Sequence, residues 1–196
     1  IERIINKVKC SNLLDDIVLA TTNKPEDDVV EYIGNQCGIK VHRGSSSNVM
    51  ERVLGASKYK KNSILVQVTG DNPFIEPQII DDVISKFKDI SLDYVCNDMP
   101  RCVPLGCEVR AYKRSIIDKI DQNNIDKSHL SNITSIFHEY KQEYNIHNIN
   151  TRELHKGNNI RLTVDEPKDY ILADIIYKEM YKLNKSFDLE EVINFL

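Results

Sequence analysis

The chain has 196 residues, of which 41% are hydrophobic and 29% charged, and its formal net charge is −4. That length suits one domain with an ample core, and the charged fraction argues against disorder of the whole chain. Mild acidity excludes the basic stripe of a dedicated nucleic-acid binder, and no apolar run approaches the roughly 18 residues of a membrane span.

Ile1, Ile4, Ile5 and Val8 recur at helical spacing from the first residue. Lys7, Lys9, Asp15 and Asp16 interrupt this stretch, so it does not read as a signal peptide. A soluble, cytoplasmic protein is the expectation. Asp16–Ala20 is a short apolar run that predicts a buried strand, ended by Thr21-Thr22-Asn23. Pro25 opens a helix with Glu26, Asp27 and Asp28 in its first turn. Val29, Val30, Ile33 and Cys37 should form its inner face, with Gly38 ending it. A strand follows at Ile39–His42, then the loop Gly44-Ser45-Ser46-Ser47-Asn48 and a helix from Val49 to Tyr59.

Ser63–Thr69 is the clearest strand, closed by the turn cluster Gly70-Asp71-Asn72-Pro73. Pro77 starts a helix with Ile80, Val83, Ile84 and Phe87 as its stripe. Strands are predicted at Tyr94–Cys96, Cys107–Tyr112, Tyr144–Ile149 and Ile160–Val164. Helices are predicted at Ser115–Ile120, Lys127–Tyr140, Pro167–Leu183 and Leu189–Phe195. This alternation implies βαβ units in a three-layer α/β sandwich with a mostly parallel sheet. Residues 1–196 read as a single domain, and residues 97–112 break the alternation like a substrate-facing hairpin insertion.

The five cysteines are odd in number and scattered. Cys102 and Cys107 have no second pair beside them, so reduced, packed thiols are expected rather than a disulfide framework or a zinc knuckle. No GxxxxGK[ST], GxGxxG or GxSxG motif occurs.

In an open α/β sheet, ligands bind beyond the carboxyl ends of the strands. Two strands there end in an aspartate before a proline-marked turn, Asp71 and Asp165. If the strands are neighbours, the pair has the hard oxygen donors that Mg2+ takes; otherwise each aspartate simply caps the following helix. His129 reads as a packed or solvated helical histidine before it reads as a substrate contact. Arg43, Arg52 and Arg101 have the fork for phosphate or carboxylate, but singly each reads as a surface residue.

The segments V-Q-V-T-G-D-N-P-F-I-E-P at Val66–Pro77 and L-T-V-D-E-P-K-D at Leu162–Asp169 carry a resemblance. V-L-A-T-T-N at Val18–Asn23, V-H-R-G-S at Val41–Ser45, N-V-M-E-R at Asn48–Arg52 and the segment Asn97–Glu108 support it. Together they resemble the acylneuraminate and KDO cytidylyltransferase superfamily, and most closely its spore-coat polysaccharide branch. The match runs in order from residue 1 to about Tyr181.

The resemblance implies a Rossmann-like fold of the nucleotide-diphospho-sugar transferase type. It implies Mg2+ on Asp71 and Asp165, and the nucleotide near Thr21, Asn23, Arg43 and Gly70. Arg52, Arg101, Glu108 and His129 fall where such enzymes approach the nucleotide or the acceptor. CTP and an acidic sugar are the implied substrates, and homodimers are common in the family. The family normally opens with a strand and a loop reading Q-A-R-x-x-S-x-R-L-P-x-K that holds the triphosphate, and residue 1 aligns after it. Leu105, Cys107 and the segment Lys127–Ser131 also depart from the usual pattern, which points to an acceptor other than a common sialic acid. Two rivals stay open, a degenerate binding or scaffold subunit and a nucleotide-sugar glycosyltransferase. The latter would usually carry a D-x-D motif, whereas Asp71 is followed by Asn72-Pro73.

Overall fold

The computed structural model describes residues 1–58, 63–120, 125–150, 159–184 and 186–196. The element order is α1 (Glu2–Val8), β1 (Val18–Thr22), a 3₁₀ turn (Pro25–Asp27), α2 (Asp28–Gln36), β2 (Lys40–Gly44), α3 (Val49–Ala56), β3 (Ile64–Gln67) and α4 (Pro77–Lys86). Then follow β4 (Tyr94–Cys96), β5 (Arg110–Lys113), α5 (Arg114–Ile117), α6 (Lys127–Ser131), α7 (Ser135–Glu139), β6 (Ile146–Asn148), α8 (Pro167–Leu183) and α9 (Leu189–Phe195). The helix expected to reach Tyr59 is described to Ala56, and Tyr59 itself lies outside the described residues.

The strands form two sheets. β1 and β2 pair in parallel, while the second sheet runs β3-β5-β4-β6. β4 and β6 are parallel, but β5 is antiparallel to both β3 and β4, so this sheet is mixed rather than mostly parallel. The cause is the connection. The chain reaches β5 from β4 through a buried loop that reverses it, with no helical crossover to restore the direction.

Period-two alternation divides the second sheet between two cores. Val95 and Ala111 face a cluster with Ile80 and Val83 of α4, Ile176 and Tyr177 of α8 and Leu189 and Val192 of α9. Tyr94, Cys96 and Tyr112 face the other side, with Met50, Ile117, Ile133 and Phe137. Helices therefore cover both faces, in keeping with the sandwich read from the sequence. Among the described residues, no helix is long and apolar enough to cross a membrane.

Several expected elements differ in detail. Val29 lies outside the inner face of α2 and is 57% exposed, because the helix approaches the sheet at Gly34. A Cβ there would stand 2.7 Å from Val41 Cγ2 and 2.8 Å from Leu19 Cδ2, so the helix turns this bare position inward. The single helix expected over Lys127–Tyr140 is two short ones, broken at Asn132. Thr134 Oγ1 donates to Asn132 Oδ1 and Ser135 Oγ to the Asn132 carbonyl, a side-chain pattern that competes with helix. Ile160–Val164 is no strand of a sheet; it makes one parallel bridge, Leu105↔Arg161. The expected hairpin over 97–112 is an antiparallel bridge, Asp98↔Arg101, followed by a buried loop and then β5. Cys102, Val103, Cys107 and Val109 are all at most 2% exposed, so this loop belongs to the core.

Asp81 of α4 ties down the segment after α1. Its carboxylate accepts from Ser11 Oγ, from Asn12 N and Nδ2 and from Leu13 N, and the residue is 8% exposed. Burial raises its pKa, but the donors from Ser11, Asn12 and Leu13 outweigh burial and hold it below the ordinary aspartate value. A lowered pKa means the unfolded chain takes up the proton first, so this stabilisation is present near neutrality and is lost as pH falls below about 4. Asp81→Ala should cost about 2–3 kcal/mol at pH 7. Urea unfolding should show that difference shrinking toward pH 3; an undiminished difference there would contradict the charged-acceptor account.

Candidate functional site

The two aspartate-bearing turns meet through their backbones. The Val164 amide donates to the Asp71 carbonyl at 2.8 Å, which sets Asp165 directly beside the Gly70-Asp71 turn. Asp71 Oδ1 is buried and has no hydrogen-bond partner among the described residues. Asp165 is more open, with its side chain 46% exposed. Arg161 Nη2 lies 2.6 Å from Asp165 Oδ2 and 3.0 Å from Asp169 Oδ2.

Asp169 also closes the capping box of α8 with Glu166, and accepts from the Asp165 and Glu166 amides. The Arg161 guanidinium, followed by these amides, holds the Asp169 carboxyl below its ordinary value. So Asp165 is not the helix cap, because Glu166 and Asp169 perform that task. This removes the capping explanation for Asp165. A buried carboxylate oxygen without a donor is costly, and a hard cation is the partner that carboxylate oxygens satisfy best. Among the described residues no group of three or more His, Cys, Asp or Glu side chains could hold a metal. Asp71 and Asp165 are the two carboxylates that these turns offer, and two carboxylates supply hard oxygen donors.

Residues at the ends of β1 and β2 form a second group. Thr21 Oγ1 and both the amide and hydroxyl of Thr22 donate to Asp27 Oδ2. These bonds, from Thr22 and then Thr21, lower the Asp27 pKa. Asn23 is exposed, and its amide donates to the Gly44 carbonyl. Arg43 donates through Nε to the Thr22 carbonyl, through Nη2 to the Lys24 carbonyl, and through Nη1 to Asp28 and Glu31. Its fork is thus spent on bracing the turn after β1. Arg52 Nη1 donates to the Ser45 carbonyl, and its buried Nε has no partner among the described residues. At Gly70, an added Cβ would stand 3.0 Å from Ile1 Cδ1.

The remaining candidates make contacts of other kinds. Arg101 is exposed at the bridge with Asp98. Glu108 is 5% exposed and accepts from the Gly106 amide through Oε2 at 2.9 Å. His129 is 1% exposed, its Nδ1 2.5 Å from Ser135 Oγ and its Nε2 3.2 Å from Glu139 Oε2, which matches the packed alternative.

Sequence reading missed three residues that shape the site: Asp27, Asn97 and Arg161. The four-residue spacing of Arg161 to Asp165 and the E-P-K-D box were visible in the sequence. Nothing local marks Asn97, whose side chain bonds the Cys107 carbonyl and the Val109 amide across the loop.

Comparison with known proteins gives a consistent picture. A family model described as Cytidylyltransferase matches residues 1–191. An uncharacterized protein of Methanocaldococcus jannaschii, MJ1063, is 30% identical over 196 residues, covering 100% of this chain and 79% of that protein. The spore coat polysaccharide biosynthesis protein SpsF of Bacillus subtilis is 27% identical over 168 residues, 84% of this chain and 68% of its own length. Among solved structures, a cytidylyltransferase from Leptospira borgpetersenii aligns with a TM-score of 0.88 at 25% identity, over 99% of this chain and 81% of that one. CMP:2-keto-3-deoxy-manno-octonic acid synthetase complexed with CTP shares the fold, with a TM-score of 0.61 at 12% identity over 94% of this chain and 88% of its own.

Proposed function

Because the chain belongs to the cytidylyltransferase family, and so to the nucleotidyltransferases, we propose that it transfers CMP from CTP to an acidic sugar or related acceptor of surface polysaccharide synthesis. The observation that supports the reading is the 2.8 Å bond from the Val164 amide to the Asp71 carbonyl, which joins the two aspartate-bearing turns, together with an Asp71 oxygen that is buried and has no partner among the described residues.

In this reading an acceptor oxygen attacks the α-phosphorus of CTP. The bond to the bridging oxygen of the β-phosphate breaks, pyrophosphate leaves, and the acceptor proton passes to solvent. Asp71 and Asp165 would hold Mg2+, which when bound neutralises phosphate charge and polarises phosphoryl oxygens. Arg161 orients Asp165 by direct contact. The braced turn Thr21–Asn23 and the Gly44–Asn48 loop border the nucleotide. Arg43 would serve there as a brace and Arg52 as a donor, through the Nε that has no partner. Catalysis of this kind rests on positioning and fixed charge.

Thermal unfolding with Mg2+ and each of CTP, UTP, ATP and GTP tests the reading. Saturation at a hundred times Kd adds about 2.7 kcal/mol, roughly 5–10 °C for a chain of this size. A shift with CTP alone, lost in Asp71→Ala, is expected. No shift with any nucleotide would count against the reading and favour a scaffold role, and equal shifts with all four would remove the cytidine assignment.

A further inference from the structure

We infer that Glu108 is a positioning residue, which fixes the 104–109 loop so that this one loop holds both aspartate-bearing segments in register. The inference rests on the reading of Asp71 and Asp165 as a cation pair.

The loop touches both segments directly. On the Asp165 side, the Leu105 amide donates to the Ile160 carbonyl at 3.0 Å and the Leu162 amide returns a bond to the Leu105 carbonyl at 2.7 Å. Gly106 then lies flat on the Thr163 backbone, where a Cβ would stand 2.6 Å from the Thr163 nitrogen. On the Asp71 side, Cys107 Sγ lies 3.7 Å from the carbonyl of Phe74, three residues beyond the aspartate.

Each buried amide of the loop needs an acceptor. Leu105 uses Ile160, Cys107 uses the Pro104 carbonyl at 3.0 Å, and Val109 uses Asn97 Oδ1 at 2.9 Å. Gly106 has the Glu108 carboxylate, two residues on. Its φ is 98°, and its N–H donates to the Glu108 side chain rather than to another backbone group. A residue at most 5% exposed and spent on its own loop is poorly placed to meet a sugar, but well placed to set where Thr163, Val164 and Asp165 run.

The test compares Glu108→Ala, Glu108→Asp and Glu108→Gln with the unaltered chain in two measurements. Hydrogen exchange reads the Leu162 and Val164 amides, and electron paramagnetic resonance reads Mn2+ binding in the presence of CTP. Gln keeps an acceptor oxygen at the same reach. Asp keeps the charge but is one methylene short, and it stands in for Ala should that variant fail to fold. The expected result is exchange about tenfold faster or more at both amides in Ala and Asp, with Mn2+ binding weakened by a similar factor and Gln within about threefold of the parent. A role confined to global stability would lower the melting temperature and leave the Mn2+ affinity of the folded chain unchanged. Unchanged exchange in the Ala and Asp variants overturns the inference. So does a Gln variant that loses Mn2+ as Ala does while its amides stay protected, because the charge would then act on the ligand itself. If the parent binds Mn2+ no better than Asp71→Asn does, the cation reading fails separately, and the two amides still decide the part played by Glu108.

Discussion

Asp71→Asn is expected to reduce pyrophosphate release by about 10²–10³-fold without lowering the melting temperature. Removing one charged ligand costs several kcal/mol of transition-state stabilisation, and each 1.36 kcal/mol is tenfold in rate. The fold should tolerate the change because Asn has nearly the volume of Asp and leaves the Asp71 backbone bond to Val164 in place. It also removes a buried anionic oxygen that lacks a partner, so stability stays level or rises slightly. Asp165→Asn should lower turnover similarly, although its side chain is half exposed and already paired with Arg161. Paired measurements of melting temperature and pyrophosphate release separate the possibilities. Near-normal turnover in Asp71→Asn would remove that residue from the chemistry, whereas loss of both activity and stability would make it a structural residue.

Gly106→Ala is expected to be strongly disruptive. The position has φ 98°, a region that L side chains rarely adopt, at a cost of about 1–3 kcal/mol. The new Cβ would also meet backbone atoms, 2.6 Å from Thr163 N, 2.9 Å from Leu162 C and 3.0 Å from Thr163 Cα. None of these is the movable end of a side chain, so the 105–106 and 161–163 segments must separate. A total of about 3–4 kcal/mol corresponds to a fall of roughly 6–15 °C for this length. Urea unfolding and a thermal scan measure it, and a change under about 1 kcal/mol would mean that the Leu105–Arg161 clamp yields freely. Because that clamp delivers Asp165 to Asp71, activity should fall further than the folded fraction does.

The elements with strong local periodicity were legible. α4 and α8 begin at Pro77 and Pro167 as their sequences demand, and β1 and β2 stand where apolar runs end in polar turns. The two acidic, proline-marked turns at Asp71 and Asp165 could be seen locally, although the strand expected before Asp165 is only the bridge Leu105↔Arg161. Arg43 shows where such reading stops. Its guanidinium suits a phosphate, yet Asp28, Glu31 and two carbonyls claim it, and only the fold brings them within reach. Glu108 is similar: the family resemblance set it where the acceptor or nucleotide is approached, and its surroundings make it the acceptor for the buried Gly106 amide.

The sequence by itself determined the alternation of helix and strand, the two core-facing periods and the pair of acidic turns, because each depends on residues within a few positions of one another. Only the tertiary structure decided that β5 enters antiparallel, that Cys102, Val103, Cys107 and Val109 are buried and that the Asp71 turn meets Val164. Those outcomes depend on partners far apart in the chain. The Val164 amide reaches a carbonyl more than ninety residues away, and a contact of that kind leaves no period in the sequence that either segment carries.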